Sequence, residues 1–205
     1  MPDFYETVND IDKLLCSVPN RCYVTENIDL AVVVRSYAVR IYEKDAATFI
    51  HSKNVADISV TLAAHMDLSD GERDMLYFSA FFHDIGKILI DTRLLTKNGA
   101  LSPSEYRIMQ AHSIIGEEMF SFIPDVAKAI RHHHERTDGS GYPDGLKGNE
   151  IPLTSRIIAV ADSYDAMLSR PYSTIKSRCD ALAEIRGKAG VQFDYEIATT
   201  LSDFL

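Results

Sequence analysis

The chain has 205 residues and a mass of 22.9 kDa, which suits one domain with a proper core and is too short for two. Hydrophobic residues make up 46% and charged residues 25%, so wholesale disorder is excluded. The formal net charge of −9 argues against binding to duplex nucleic acid, because such binding depends on Lys and Arg side chains that neutralise phosphates.

Helical patterns follow one another along the chain, and no useful stretch shows the alternation of a β-strand. Two capping boxes mark helix starts, Ser69 with Glu72 and Ser102 with Glu105, and Pro103 suits a first helical position. These patterns predict an all-α fold. The predicted helices are 3–17, 27–44, 46–66, 70–86, 103–122, 124–135, 153–169, 176–188 and 193–204.

Two segments stand apart from the main set of helices. Residues 138–152 contain four Gly and two Pro, which predicts a long loop with defined turns. A loop of this length inside a domain is usually functional or disordered. Residues 1–45 form a small N-terminal helical extension in this interpretation, and residues 46–205 form the main domain.

Nothing in the sequence indicates a membrane protein or an exported one. The apolar run near the N-terminus, residues 31–34, is far below the ~20 residues that a membrane span needs. No signal-peptide pattern is present. The cysteines, Cys16, Cys22 and Cys179, form no CxxC pair, which is typical of reduced thiols. We therefore expect a cytoplasmic protein without membrane insertion.

Polar residues on apolar helix stripes carry the strongest functional signal. His83 and Asp84 end the apolar stripe of the predicted helix 70–86, where an unpaired carboxylate would cost several kcal/mol. A buried salt bridge or a capped helix end would explain this pair alone. The same placement recurs, however, on other helices. The full set is His51, His83, His112, His133, His134, Asp84 and Asp162.

This set predicts a shared metal centre. Neutral imidazoles and ionised carboxylates that converge in a helical core are the donors that a pair of divalent first-row metals requires. Nitrogen and oxygen donors without cysteine favour iron or manganese over structural zinc. Of the remaining candidates, His65 and His132 are interpreted as solvated or supporting residues. Asp165 either orients a ligand or lies exposed on its helix.

Short motifs then indicate a resemblance to a known family. Residues 83–87 have the sequence HDIGK, residues 133–135 have HHE, and residues 138–143 have DGSGYP. In this order they resemble the signature of the HD-GYP subfamily of HD-domain phosphohydrolases, from about His51 to the C-terminus. The resemblance implies an all-α HD-domain helical bundle with an inserted GYP loop. It also implies two or three metal ions, commonly iron, and hydrolysis of cyclic di-GMP or a related cyclic dinucleotide.

The resemblance implies roles for individual residues as well. Asp84 would bridge two metals held by the set named above, and Lys87 would contact the scissile phosphate, so both are candidate catalytic residues. A metal-bridged hydroxide would then attack phosphorus in line. The GYP loop is also a candidate surface for protein partners. The candidate substrate-binding residues are Gly141, Tyr142, Pro143 and Arg170.

This chain departs from the family pattern at particular positions. Members with a third metal carry a Glu four residues before the first ligand histidine, where this chain has Ala47, so we expect two ions. Ser169 runs directly into Arg170, whereas the family usually has one residue between them, and Ser173 stands where a basic residue often follows. These changes keep open a non-catalytic cyclic-dinucleotide sensor or a partner-docking module. An HD phosphohydrolase that acts on another nucleotide is a further alternative.

Overall fold

The computed structural model describes residues 30–169 and 176–205. The predicted helix 3–17 and the candidate substrate residue Arg170 lie outside these ranges. Within them the structure has no β-sheet, only an isolated bridge between Ala189 and Phe193, so the all-α prediction is confirmed for this part of the chain. The α-helices are α1 (Leu30–Lys44), α2 (Ala46–His65), α3 (Asp70–Phe81), α4 (Thr92–Leu95), α5 (Pro103–Met119), α6 (Pro124–His132), α7 (Leu153–Ser169), α8 (Arg178–Gly187) and α9 (Tyr195–Phe204).

Two 3₁₀ helices complete the described secondary structure. The first, Ile85–Leu89, follows α3 after a short turn, and the second, Gly148–Glu150, lies in the loop between α6 and α7. The loop predicted over 138–152 is therefore present, with one turn of 3₁₀ helix inside it. In the part of the chain that the structure describes, no helix combines the length and the hydrophobicity that a bilayer crossing requires.

Both predicted capping boxes are present at the starts of α3 and α5. The Ser69 backbone N–H donates to a carboxylate oxygen of Glu72 at 2.9 Å, and the Ser102 N–H donates to Glu105 at 2.7 Å. Each serine hydroxyl in turn accepts from the backbone of its glutamate. The caps satisfy N–H groups that a helix start leaves without partners.

An aromatic cluster fills the core where α3 ends. The rings of Phe78 and Phe82 pack against Phe120 with centroid distances of 5.6 and 5.0 Å. Phe49 of α2 contacts Phe81 edge-on at 5.3 Å. All five rings are buried, and an aromatic pair of this kind contributes about 0.5–1.5 kcal/mol beyond the burial of its area. The cluster fixes the end of α3, and His83 lies two residues after it.

The N-terminal helix α1 packs against α2 and against the first 3₁₀ helix. Val34, Ala38 and Ile41 lie at helical spacing, are buried, and belong to the same apolar core as the later helices. Asp45 separates α1 from α2 and caps α2 by accepting a hydrogen bond from the Ala47 N–H at 3.0 Å. The domain boundary at residue 46 stays a prediction.

The predicted helix 70–86 is wrong at its C-terminal end, because α3 stops at Phe81. His83 and Asp84 lie in a turn, and the tighter 3₁₀ helix follows. The physical reason lies at Gly86, where an added Cβ would lie 2.0 Å from the His112 carbonyl oxygen. The backbone of this segment therefore contacts the backbone of α5 directly. A continued α-helix with a side chain at residue 86 would prevent this contact.

Two other predicted helices are also too long. The helix predicted over 103–122 ends at Met119, and the helix predicted over 124–135 ends at His132. After α6 the chain turns at once, since the Glu135 N–H donates to the His132 carbonyl at 3.0 Å. His133 and His134 therefore lie in this turn rather than on the helix. The short helix α4 was not predicted.

Candidate metal centre and adjoining cleft

The residues predicted as metal ligands come together at one place in the bundle, in two adjoining groups. They come from α2, the turn after α3, α5, the turn after α6, and α7. Within each group the ligand atoms lie within 4.8 Å of one another. Group one is Asp84, His112, His133 and His134, and group two is His51, His83 and Asp162.

Asp84 lies between the two groups. Its Oδ1 is 3.3 Å from Nε2 of His112 in group one, and its Oδ2 is 3.4 Å from Nε2 of His83 in group two. Within group two, Oδ1 of Asp162 is 3.0 Å from Nε2 of His51 and 3.9 Å from Nε2 of His83. A carboxylate that turns one oxygen toward each group has the arrangement of a bridging ligand.

Three of the imidazoles are oriented by the backbone of their own turn. In His83, His112 and His133, Nδ1 lies 2.6–2.7 Å from the carbonyl oxygen three residues earlier. A carbonyl oxygen only accepts, so Nδ1 carries the proton in each ring. Nε2 then presents its lone pair to the centre, which is the tautomer that a metal ligand needs.

Asp165 orients a fourth imidazole. Its Oδ2 lies 2.6 Å from Nδ1 of His51, and its Oδ1 accepts from the side-chain amide of Asn54 at 3.0 Å. The carboxylate is buried, so the alternative of an exposed helix residue is wrong. The spacing of three residues from Asp162 places both aspartates on one face of α7.

Two buried polar atoms of the centre indicate whether a metal ion fits there, because they lack hydrogen-bond partners. Nε2 of His83 and Oδ1 of Asp84 have no hydrogen-bond partner among the described residues. Each unsatisfied buried group of this kind costs about 1–3 kcal/mol. A divalent cation would satisfy both, and imidazole and carboxylate donors suit first-row metals. The residues present therefore fit a metal site.

The protonation states of the centre also suit metal binding. Burial lowers the pKa of His112 to about 4, and burial together with repulsion from His112 lowers the pKa of His134 to about 3. Burial and then His134 hold the pKa of His133 well below its usual value. Burial alone would raise the pKa of Asp84, but attraction by the Lys87 ammonium helps to hold it well below its usual value. At neutral pH these imidazoles are neutral and the carboxylate is ionised, as metal ligands must be.

Lys87 lies beside the centre, in the first 3₁₀ helix rather than at the end of α3. Its ammonium contacts Oδ2 of Asp84, the oxygen nearer to group two. The side chain is 20% exposed, whereas the Asp84 side chain is 3% exposed. The lysine therefore puts a positive charge between the buried carboxylate and solvent.

Glu135, the last residue of the HHE motif, holds the loop that follows. It is buried, and its Oε1 accepts from the backbone N–H groups of Asp144 and Gly145 at 2.7 and 3.0 Å. Its Oε2 accepts from the Leu146 N–H at 3.1 Å. The sequence includes Glu135 in the HHE motif but does not predict that it anchors the loop, because the carboxylate and its three N–H donors lie about ten residues apart.

A second set of contacts fixes the same loop to the helices. The Arg131 guanidinium donates to both carboxylate oxygens of Asp144 at 2.7 and 2.8 Å and also contacts Glu117 of α5. His132 adds a contact from Nε2 to Asp144 at 2.9 Å. His132 is thus a buried supporting residue of the loop, and its interpretation as a solvated side chain is wrong.

A cleft of about 400 Å³ opens beside the two groups. His133, His134 and Asp162 line it on the side of the centre, and the Tyr142 ring stacks on His134 at a centroid distance of 4.8 Å. Other lining residues include Tyr106, Gln110, Arg136, Gly141, Ser163 and Gln192.

The candidate substrate residues are distributed unevenly around this cleft. Gly141 and Tyr142 line it, and Pro143, the next residue, is not among the lining residues. Gly141 is needed for close packing, because an added Cβ would lie 2.4 Å from the backbone nitrogen of Arg136. Arg170 falls outside the residues that the structure describes.

Sequence comparison places this architecture in a known family. A family model described as HD domain matches residues 32–197. The chain belongs to the HD domain family. The resemblance stated from the motifs is therefore confirmed at this level, and the match includes most of α1.

Individual relatives agree with this assignment. The chain is 41% identical over 160 residues to a Thermotoga maritima protein named cyclic di-GMP phosphodiesterase, a match that covers 75% of this chain and 44% of that one. It is 34% identical over 180 residues to the 3′3′-cGAMP-specific phosphodiesterase 3 of Vibrio cholerae, covering 86% of this chain and 39% of that one. The chain thus spans less than half the length of these curated relatives.

A solved structure shows the same fold. An HDG"Y"P protein from Bdellovibrio bacteriovorus superposes with a TM-score of 0.66 at 17% identity, over 97% of this chain and 78% of that one. The predicted HD-domain helical bundle is therefore confirmed as the fold.

Proposed function

We propose that this HD domain is a metal-dependent phosphodiesterase that hydrolyses a phosphodiester bond of a cyclic dinucleotide, with cyclic di-GMP as the first candidate substrate. One observation carries the proposal. Two groups of metal-type donors, joined by Asp84, border a cleft of about 400 Å³, a volume typical of small-molecule sites. The names of the relatives, which specify cyclic di-GMP and 3′3′-cGAMP, support the same substrate class.

We further propose that the centre holds two divalent ions, iron or manganese, one in each group, with Asp84 shared. Group two offers only two imidazoles and one carboxylate, so positions remain for water or substrate oxygens. Ala47, four residues before His51, has no donor atom, which supports two ions rather than three. When bound, such ions lower the pKa of a water molecule and neutralise charge on phosphoryl oxygens.

The side chains around the centre orient the substrate and hold charge. The Lys87 ammonium beside Asp84 would stabilise a phosphoryl oxygen whose negative charge grows in the transition state. Tyr142 offers an aromatic face to a nucleobase, and the side-chain amides of Gln110 and Gln192 offer donors and acceptors to base edges. The contacts of Glu135 keep the Tyr142 loop in place while the substrate binds.

Three further expectations from the sequence stay predictions. Substrate binding by Arg170 and Pro143 rests on the resemblance to the family. A protein partner at the GYP loop rests on the same resemblance. The cytoplasmic location rests on the pattern of cysteines.

The experiment combines metal analysis with turnover. Protein prepared anaerobically and supplied with Fe(II) or Mn(II) is assayed with cyclic di-GMP and, separately, with 3′3′-cGAMP, and linear products are separated by chromatography. We expect two metal equivalents per chain and a linear dinucleotide product. Three equivalents, or fewer than one, would contradict the two-ion centre. Binding of both nucleotides without any product would favour the sensor alternative.

The Lys87→Ala variant separates an enzyme from a sensor. It should keep both metals, because an ammonium has no lone pair to donate to a metal. Turnover should fall by about 10²–10³, the usual scale for removal of one charge-stabilising donor. The matched control is Lys188→Ala, at an exposed lysine after α8. Undiminished turnover in Lys87→Ala would show that this lysine serves only the stability of its helix.

A further inference from the structure

The last residue of α1 reaches the segment that carries Lys87. Nζ of Lys44 lies 3.0 Å from the carbonyl oxygen of Lys87, 2.7 Å from that of Ile88 and 2.7 Å from that of Ile90. An ammonium has three N–H donors, and here each has one carbonyl acceptor. A neutral amine would have only two donors for these three acceptors.

The segment that Lys44 binds needs such support. It is a 3₁₀ helix of five residues, whose hydrogen bonds are of poorer geometry than those of an α-helix. The last carbonyls of a helix lack N–H partners further along the same helix, so an outside donor can satisfy them. Of the three carbonyls that Lys44 binds, only that of Lys87 also accepts a backbone hydrogen bond, from the Ile90 N–H at 3.1 Å, among the described residues. Lys44 provides this donor from an element 43 residues earlier in the chain.

Helix α5 contacts the same segment. Gly86 packs against the backbone of His112 so closely that a Cβ would overlap the carbonyl oxygen at 2.0 Å. The segment is thus held both by α5 and by Lys44. Lys87 extends from this backbone to Asp84, so the position of its ammonium depends on both contacts.

A simpler role for Lys44 does not account for these contacts. A lysine in the last turn of a helix commonly stabilises the partial negative charge at that helix's own C-terminus. The three acceptors of Lys44 all belong to another element. Burial lowers the pKa of Lys44, and Asp91, the residue after Ile90, partly offsets this by raising it.

We propose that Lys44 is a positioning residue for the phosphodiesterase reaction. By binding the carbonyls of Lys87, Ile88 and Ile90 it fixes the Lys87 ammonium against Asp84. The C-terminal end of α1 is thereby coupled to turnover, so a displacement of α1 would lower the rate without removing the metals. This inference rests on the proposed function for its kinetic part only.

The test uses Lys44→Met, which keeps an unbranched side chain only one atom shorter and removes all three donors. Lys44→Arg keeps charge and donors in a planar geometry, and Lys188→Met is the matched surface control. We expect Lys44→Met to keep its metal content and its KM, and to lose kcat by about 10- to 100-fold, the scale of a small misplacement of a catalytic group. Lys44→Arg should recover part of this loss.

A double-mutant cycle shows whether Lys44 acts through Lys87. In the Lys87→Ala background, Lys44→Met should lower kcat by less than about 2-fold, because the group that it positions is already absent. Equal losses in the two backgrounds would overturn the proposal, since a general structural defect would add to the effect of Lys87→Ala. Wild-type kcat in Lys44→Met would overturn it as well.

Amide hydrogen exchange gives a readout that needs no substrate. Lys44→Met should speed exchange at the N–H groups of Lys87 and Ile90, which bond within the 3₁₀ helix, and leave those of α7 unchanged. Suppose that exchange at these amides is faster in Lys44→Met than in the wild type, but that the wild type turns over no cyclic dinucleotide. Then the proposed function fails, while the role of Lys44 in holding the 3₁₀ segment stands. Unchanged exchange at both amides would refute the claim that Lys44 holds the 3₁₀ segment. If Lys44→Met does not fold, Lys44→Gln, whose neutral amide has two N–H donors instead of three, is used for the same comparison.

Discussion

One side of the centre, called here the helical side, is formed by the helices and the turns that follow them. There Nδ1 of His83, His112 and His133 is held by a backbone carbonyl oxygen three residues earlier. On the loop side, one buried carboxylate, that of Glu135, holds three consecutive backbone N–H groups. The helical contacts are local and repeated, so each ligand is oriented independently of the others. The loop contacts converge on two residues, Glu135 and Asp144, so the Tyr142 side of the cleft depends on a few side chains that act together. The two sides should therefore fail in different ways when they are mutated.

The largest effect should come from Asp84→Ala, which breaks the helical side at the residue shared by both groups. Metal should be lost from both groups and turnover should fall below detection, since Asp84 faces His83 and His112 alike. Metal analysis and the turnover assay check this, with Asp57→Ala on the exposed face of α2 as the control. Two retained metals with normal turnover would show that Asp84 is not a bridging ligand.

A smaller effect on the helical side should come from Asp165→Asn, which leaves every proposed ligand in place. The variant replaces the charged partner of His51 Nδ1 by a neutral amide, which weakens the orientation and the basicity of that imidazole. Metal affinity should fall by about 10- to 100-fold, the usual range for such supporting residues. Competition with a chelator measures it, and Asp203→Asn is an exposed control. The affinity of group one should not change, and an equal loss in both groups would contradict this account.

The smallest effect on the centre should come from Glu135→Gln, which breaks the loop side alone. The amide places an NH₂ group against at least one backbone N–H, and each unsatisfied group costs about 1–3 kcal/mol of stability. Metal content should stay at the wild-type level while KM rises, because Tyr142 is no longer held beside His134.

Thermal unfolding, metal analysis and steady-state kinetics together check the Glu135→Gln prediction. Glu118→Gln, exposed on α5, is the control. Loss of metal in Glu135→Gln would show that the two sides of the centre are not independent.

The difference between local and long-range contacts also explains which features could be predicted from the sequence. The proposed ligands lie on helices or in the turns that directly follow them, and the apolar stripe of each helix is a local pattern that periodicity detects. Only His51, His112 and Asp162 lie within the helices themselves. The HDIGK, HHE and DGSGYP motifs are likewise contiguous, so the family could be named from them. The all-α class and both capping boxes followed from similar local signals.

Tertiary contacts between distant segments could not be predicted in this way. The end of α3 was misplaced because Gly86 meets the backbone of His112, a residue 26 positions later in the chain. The anchoring role of Glu135 and the reach of Lys44 to Ile90 have the same character, since in each case donor and acceptors lie far apart in sequence. A glycine inside a predicted helix was the one available warning at residue 86.

The donors of the centre come from five segments of the chain, between residues 51 and 162. An unfolded chain cannot present them together, so an ion that binds there binds the folded state almost exclusively. By mass action, each tenfold rise in free metal above the dissociation constant then adds about 1.4 kcal/mol to the free energy of unfolding per bound ion. On the proposed metal site, the melting temperature of this domain should therefore rise with the concentration of free metal.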